Sequence, residues 1–317
     1  METHTKYIAS LFGLTAKNAN REKFGFLCET EEQGFVLVQK TIATDENSEN
    51  ILFQHQVKEH LYKKGFTQID RFFVTEQGGT PCLKSSGDLF TVARGFNKPK
   101  ADYAQKDQLL AVVAELGKIH KISEGVKFDG EPKKRREATS PEKALGLLSS
   151  QKKKLMKAGR FSEFDMIFLK AYEKFEPYIQ AWGGIPKDVL GNNNYICHNL
   201  LKEENIFMED KPIFTNFVAA SYGHYLTDLV YLVKRYLKAE PQGDLPMADI
   251  FEAYKKGHPE ALLDQDFFKA KLMYPDKFIK VAKEFYSKNR SFAPKAYLTQ
   301  MEECLERGIA LENYLQL

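Results

Sequence analysis

The residues able to do chemistry are few and widely spaced. Lys40 closes a run of alternating residues and offers one ammonium, suited to a nucleotide phosphate or to snorkelling from a sheet edge. His198 and Asn205 stand seven apart. No nucleophile neighbours the imidazole, so it reads as a satisfied core histidine. The amide of Asn205 could ligate a metal or bind nearby backbone. His120 and His224 have no cysteine or acid at metal-ligand spacing. Cys28, Cys82, Cys197 and Cys304 form no Cys-x-x-Cys pair, so they read as buried thiols of a reducing compartment rather than as a zinc or redox site. The stretch from Phe12 to Asn20 holds one glycine, and no Gly-x-Gly-x-x-Gly cradle for phosphate precedes Lys40.

These residues need elements to hold them. Gly34 to Ile42 alternates and is rich in β-branched and aromatic residues, which predicts a strand with Lys40 on the face of Val36, Val38 and Ile42. After a polar loop from Thr44 to Asn50, Phe53, Val57 and Leu61 predict a helix that stops at Lys64-Gly65. Short strands are expected at Arg71 to Thr75 and Leu89 to Ala93, around the Gly78-Gly79 turn. Beyond Phe96 helical stripes take over. Leu109, Val112, Val113, Leu116 and Ile119 form one, and Phe164, Phe168, Ala171, Tyr172, Phe175 and Ile179 form a stronger one. Tyr195 to Phe207 reads as strand, turn, strand, with another strand near Ile213. Helices resume around Leu226 to Leu237, Phe278 to Phe285 and Leu298 to Ile309. The basic runs Lys133 to Arg136 and Lys152 to Lys154 read as a solvated excursion.

Composition narrows the classes. In 317 residues, 43% are hydrophobic and 28% charged, as in ordinary globular proteins, which excludes wholesale disorder and a membrane bundle. No apolar run approaches the roughly 18 residues of a spanning helix. Met1 to Lys6 carries no export pattern, so a cytoplasmic location is expected. A net charge of +3 does not by itself imply nucleic acid. No aromatics interleave the basic runs, so a nucleic-acid partner is not expected.

The order of landmarks resembles aminoglycoside-phosphotransferase-like kinases. Leu116-Gly-Lys-Ile-His120 ends one helix, and Ser221-Tyr-Gly-His-Tyr-Leu-Thr-Asp228-Leu matches a later family segment. The family's His-Gly-Asp-x-x-x-x-Asn stands here as His198-Asn199-Leu200-Leu201-Lys202-Glu203-Glu204-Asn205. Its Ile-Asp-Phe stands as Thr215-Asn216-Phe217. More specifically, Ser162-Glu-Phe-Asp165 and Tyr274-Pro-Asp-Lys-Phe278, with Tyr286 after it, resemble the CotS branch of spore-coat proteins.

The resemblance implies an α+β, bilobal protein-kinase-like fold. A small antiparallel-sheet lobe would span 1–95 and a mainly helical lobe 96–317, joined near Arg94 to Lys98. It also implies that Lys40 faces a nucleotide, that His198 braces the loop and that Asp228 is buried beneath it. The family's first aspartate receives or orients a proton and its second holds Mg²⁺. Leu200 and Asn216 occupy those positions and supply neither function. Loss of a positioned base forfeits about 10²- to 10⁴-fold in rate, and an amide gives Mg²⁺ a neutral oxygen where an anionic one is favoured. Glu203 and Glu204 fall on the wrong side of the turn, and Asp210 lies six residues early. The helix glutamate expected to pair with Lys40 maps to Gln54, or to Glu59 a turn later.

The expectation is therefore a pseudokinase of the spore coat, made in the mother-cell cytoplasm, associated with other coat proteins and with no membrane, and needing no cofactor. The alternative is a small-molecule phosphotransferase using ATP and Mg²⁺.

Overall fold

A computed structural model describes residues 2–130, 140–186, 189, 194–287 and 294–316. The Lys133 to Arg136 cluster lies outside them. Two compact units group residues 1–135, 193–228 and 252–260 in one, and 136–192, 229–251 and 261–317 in the other.

The first unit opens with α1 (Glu2–Ser10), followed by β1 (Asn20–Glu22), β2 (Gly25–Thr30), β3 (Gly34–Ile42), α2 (Asp45–Lys63), β4 (Leu83–Ser85) and β5 (Asp88–Arg94). The strands form one antiparallel sheet in the order β1-β2-β3-β5-β4. Strand alternation gives it two faces. On one, Val36, Val38, Phe90 and Val92 pack beneath Ile8 and Ala9 of α1. On the other, Leu89 and Ala93 pack with Ile51 of α2 and with Phe72. Thr44 is the α2 N-cap and its hydroxyl accepts from the Asn47 amide, so the polar stretch taken for a loop is the helix's first turn.

The β1-β2 hairpin gave no sequence signal, because all three β1 residues are polar and exposed. Only a two-residue turn, Lys23-Phe24, joins it. Arg71 to Thr75 is not a strand. Phe72 makes a single bridge to Ala93, and β4 pairs along the other half of β5.

Helix α3 (Lys106–Ser123) buries the predicted stripe from Leu109 to Ile119. A Cβ on Gly117 would stand 2.5 Å from the Tyr254 carbonyl oxygen, so two helices cross here at a distance only glycine allows. Strand β6 (Tyr195–Cys197) pairs with β9 (Ser221–Gly223), and β7 (Ile206–Phe207) pairs with β8 (Ile213–Phe214).

The second unit is built from α4 (Pro141–Ala158), α5 (Glu163–Gly183), α8 (Gln265–Met273), α9 (Asp276–Ser287) and α10 (Pro294–Tyr314). Helices α6 (Leu226–Ala239) and α7 (Met247–Gly257) contribute to both units. Lys152 to Lys154 ride on α4 rather than on a loose excursion. Ala144, Leu148 and Leu155 anchor that helix in the same core as α5.

The two CotS-like segments meet in this core. Ser162 caps α5 through a capping box with Asp165, whose other oxygen accepts from the Tyr286 hydroxyl at 2.8 Å. Phe164 stacks on Phe285 at 3.6 Å, and Phe168 on Phe278 at 6.0 Å. Among the described residues, no helix is long and apolar enough to cross a membrane.

Candidate functional site

The loop after β6 hangs from one carboxylate. Asp228, fully buried, accepts the His198 amide at 2.7 Å on Oδ2 and the Asn199 amide at 2.9 Å on Oδ1. Its Oδ2 also lies 3.3 Å from Nε2 of buried His120, whose Nδ1 is 2.8 Å from the Tyr254 hydroxyl. Asn199 sits at φ +58°, a left-handed conformation that asparagine tolerates better than most residues and where the resembled motif has glycine. Its side-chain amide donates to the Ala219 carbonyl and to Ser221.

His198 is fixed in one tautomer. Its Nε2 is 2.9 Å from the Thr215 carbonyl and must carry the hydrogen, while Nδ1 accepts the Leu200 amide at 3.2 Å. Burial pushes the imidazole below its ordinary 6.5, against the opposing pull of Asp228. This histidine positions the loop and offers no free nitrogen for proton transfer.

The metal position holds two amides bonded to each other. Asn205 Nδ2 donates to the Leu200 carbonyl at 2.8 Å, which fixes the amide's orientation and turns Oδ1 toward Asn216. Asn216 Nδ2 donates to that oxygen at 3.1 Å. The Asn205 oxygen that would face a cation is thus already capped by a hydrogen.

A buried ion pair, which the sequence reading missed, holds this turn from below. Lys58 of α2, 1% exposed, places Nζ 2.9 Å from Asp70 Oδ1, and Asp70 Oδ2 accepts the Asn216 amide at 3.0 Å. The ammonium lies 3.7 Å from the centre of the Phe72 ring. Burial lowers its pKa, with Asp70 opposing. One turn before it, Gln54 donates to Asn50, which donates to the Val218 carbonyl. Asn50, Gln54 and Lys58 therefore form a polar stripe at spacing four along α2, directed at 216–218. That stripe was the available signal, set among the apolar Ile51, Phe53, Val57 and Leu61.

Lys40 is not part of this constellation. It pairs across the sheet with Phe90, on the face that α1 covers, and its side chain is 62% exposed and bonded to Asp88 at 2.9 Å. Gln39, opposite Thr91, points to the α2 face instead. The register thus sets Lys40, expected to face a phosphate, on the α1 side and its neighbour Gln39 on the α2 side, because one residue along a strand reverses the face. Nor does a helix acid reach it, since Glu59 forks onto Arg71 at 2.5 and 2.8 Å.

The nearby loop acid is also engaged. Glu204 accepts from Lys23 at the hairpin tip at 2.6 Å, and that bond holds its carboxyl below the usual range. Another group of ligand types, His120, Cys197 and Asp228, brings its donor atoms within 4.8 Å of one another. Burial pushes the Cys197 thiol well up, its sulfur faces the His224 carbonyl, and Asp228 is taken by amides, so a hydrogen-bond cluster accounts for the grouping.

Taken together, the donor set does not fit a magnesium-held nucleotide. Leu200 cannot take a proton, the Asn205 oxygen accepts from Asn216, no carboxylate stands at position 216, and Gln39 rather than a lysine lies on the α2 face of β3. What the site does supply is a loop held by hydrogen bonds to Asp228, Asn205 and Asp70.

Comparison with known proteins agrees on the frame. The family described as "Spore coat putative kinase YutH" matches residues 5–317. No curated protein sequence matches the chain. Among solved structures, an aminoglycoside phosphotransferase from Alicyclobacillus acidocaldarius is similar at a TM-score of 0.72 and 14% identity, covering 99% of this chain and 94% of that one. Spectinomycin phosphotransferase, solved with ADP and spectinomycin, gives 0.62 at 12% identity, covering 99% of each. Amicoumacin kinase, solved with AMP-PNP and Ca²⁺, gives 0.59 at 16%, covering 92% and 87%. At these identities the likeness establishes the kinase-like fold alone.

Proposed function

The chain belongs to the YutH family of spore-coat kinase-like proteins, and from that premise we propose that it serves the coat as a non-catalytic structural or assembly component. The observation that carries this reading is the Asn205–Asn216 amide pair, which replaces a metal site with an internal hydrogen bond. Leu200 in place of a proton acceptor supports it independently. So does the Lys58–Asp70 pair, which holds the turn at Asn216 through the protein's own charges. Its partners are other coat proteins, and it is made in the mother-cell cytoplasm before it joins the coat.

The test is turnover. The protein is incubated with ATP, Mg²⁺ and a panel of hydroxylated and amino compounds, and ADP is measured. The expected result is no formation above the protein-free control, and sustained, compound-dependent ADP release would refute the proposal. A second reading, an ATP- and Mg²⁺-dependent small-molecule phosphotransferase, draws on the loop frame in which Asp228 orders the His198 and Asn199 amides.

A further inference from the structure

The Tyr274–Phe278 segment, singled out in the sequence, also walls a cavity of about 220 Å³ inside the helical unit. Its lining is mainly apolar, with Phe175, Leu237 and Leu311 contributing from three helices. Lys234, Lys238, Lys277 and Arg307 also line it. Among the described residues, two carboxylates lie beside these four cations. Glu303 pairs with Lys277 and lies 4.0 Å from Arg307, while Asp276 lies 3.8 Å from Lys234, beyond hydrogen-bond reach. The Lys234 ammonium donates to the Tyr274 carbonyl at 3.2 Å. Burial disfavours its charge, and Asp276 offsets this only in part, so the pKa falls.

A half-buried cation beside an apolar hollow, with more cations than carboxylates among the described residues, suits a ligand that is anionic at one end and hydrocarbon at the other. We propose that this cavity binds a small organic carboxylate, its apolar body against Phe175, Leu237 and Leu311 and its carboxylate toward Lys234 and Arg307. The volume lies below the roughly 300–1,000 Å³ of drug-sized sites, which limits the ligand to a single ring or a short chain. Inorganic phosphate would leave the apolar wall uncovered, and a neutral molecule would gain no charge-assisted contact from Lys234 or Arg307. The site lies wholly in the helical unit and does not depend on whether the kinase-like loop is active.

The experiment is calorimetric titration of the full chain with benzoate, with benzamide as its neutral isostere, and with inorganic phosphate. Benzoate is expected to bind saturably with Kd of about 1 mM or tighter. Benzamide and phosphate are each expected to bind about tenfold more weakly or worse, the loss of one charge-assisted contact or of the apolar one. Lys234→Met and Arg307→Met should each weaken benzoate about tenfold. Arg307 is 50% exposed, so its variant keeps the test open should the Lys234 variant fail to fold. Equal binding of benzoate and benzamide, equal binding of phosphate, no benzoate heat, or indifference to Arg307→Met would each overturn the proposal.

Discussion

Lys58→Met probes what holds the turn at Asn216. Methionine nearly matches the lysine stem in volume, so the packing against Phe72 survives and the change is one of charge. Asp70 then stays in place, 6% exposed by side chain, with its amide bond to Asn216 but no ammonium at 2.9 Å. Removing one partner of such a pair costs about 3–5 kcal/mol, most of it the burden of the stranded charge. Neutralising both with Lys58→Met/Asp70→Asn removes that charge, and the asparagine oxygen can still accept the Asn216 amide. The double variant should therefore recover about 2 kcal/mol or more relative to Lys58→Met alone. Urea unfolding followed by far-UV circular dichroism gives the four stabilities of the cycle. Fluorescence of Trp182, the sole tryptophan and a member of the helical unit, reports whether that unit unfolds with the rest. A Lys58→Met variant within about 0.5 kcal/mol of the parent, or a double variant as unstable as the sum of the singles, would refute the reasoning.

Further outcomes follow from other contacts. Asn216→Asp sets a carboxylate against the Asn205 oxygen, so thermal unfolding should show a loss of about 1–3 kcal/mol that millimolar Mg²⁺ reverses, with no ADP formation because Leu200 remains. His198, its pKa depressed by burial, stays neutral in the fold while the unfolded chain takes up a proton below 6.5; stability should fall as pH drops from that value. His198→Asn should flatten that acid slope by up to about 1.4 kcal/mol per pH unit in urea titrations. Lys40→Met, whose lysine is exposed at the edge of the face that α1 covers, should change stability by less than about 1 kcal/mol in the same assay. Tyr286→Phe, which removes the hydroxyl bonded to buried Asp165, should cost about 1.5–3 kcal/mol by urea unfolding.

Much of this architecture was written in local patterns. The apolar stripes of α2, α3, α5 and α9 repeat at helical spacing because each buries one face, and the structure buries those residues; on α10 it buries Met301, half-buries Leu298 and Leu305, and leaves Ile309 exposed. The kinase-like landmarks kept their order, and the two CotS-like segments proved to be halves of one aromatic cluster, a contact across more than a hundred residues that periodicity cannot reveal. Alternation along β3 placed Lys40 with Val36 and Val38, as the structure does, but which face carries α1 and which α2 is decided by tertiary packing and was not legible in the strand itself. The Lys58–Asp70 pair was hidden for a similar reason. A lysine in a helix and an aspartate in a loop look solvated until the chain folds over them. Hairpin β1-β2, short and polar, gave no pattern at all.

The most direct measurement is thermal stabilisation of the wild-type chain by ATP, with and without Mg²⁺. A ligand held by the native state at a hundredfold excess over its Kd adds about 2.7 kcal/mol. With the Asn205 oxygen capped by Asn216 and glutamine at position 39, Mg²⁺ is expected to add nothing to the melting temperature at any ATP concentration. A shift that requires Mg²⁺ and saturates with ATP would contradict the account.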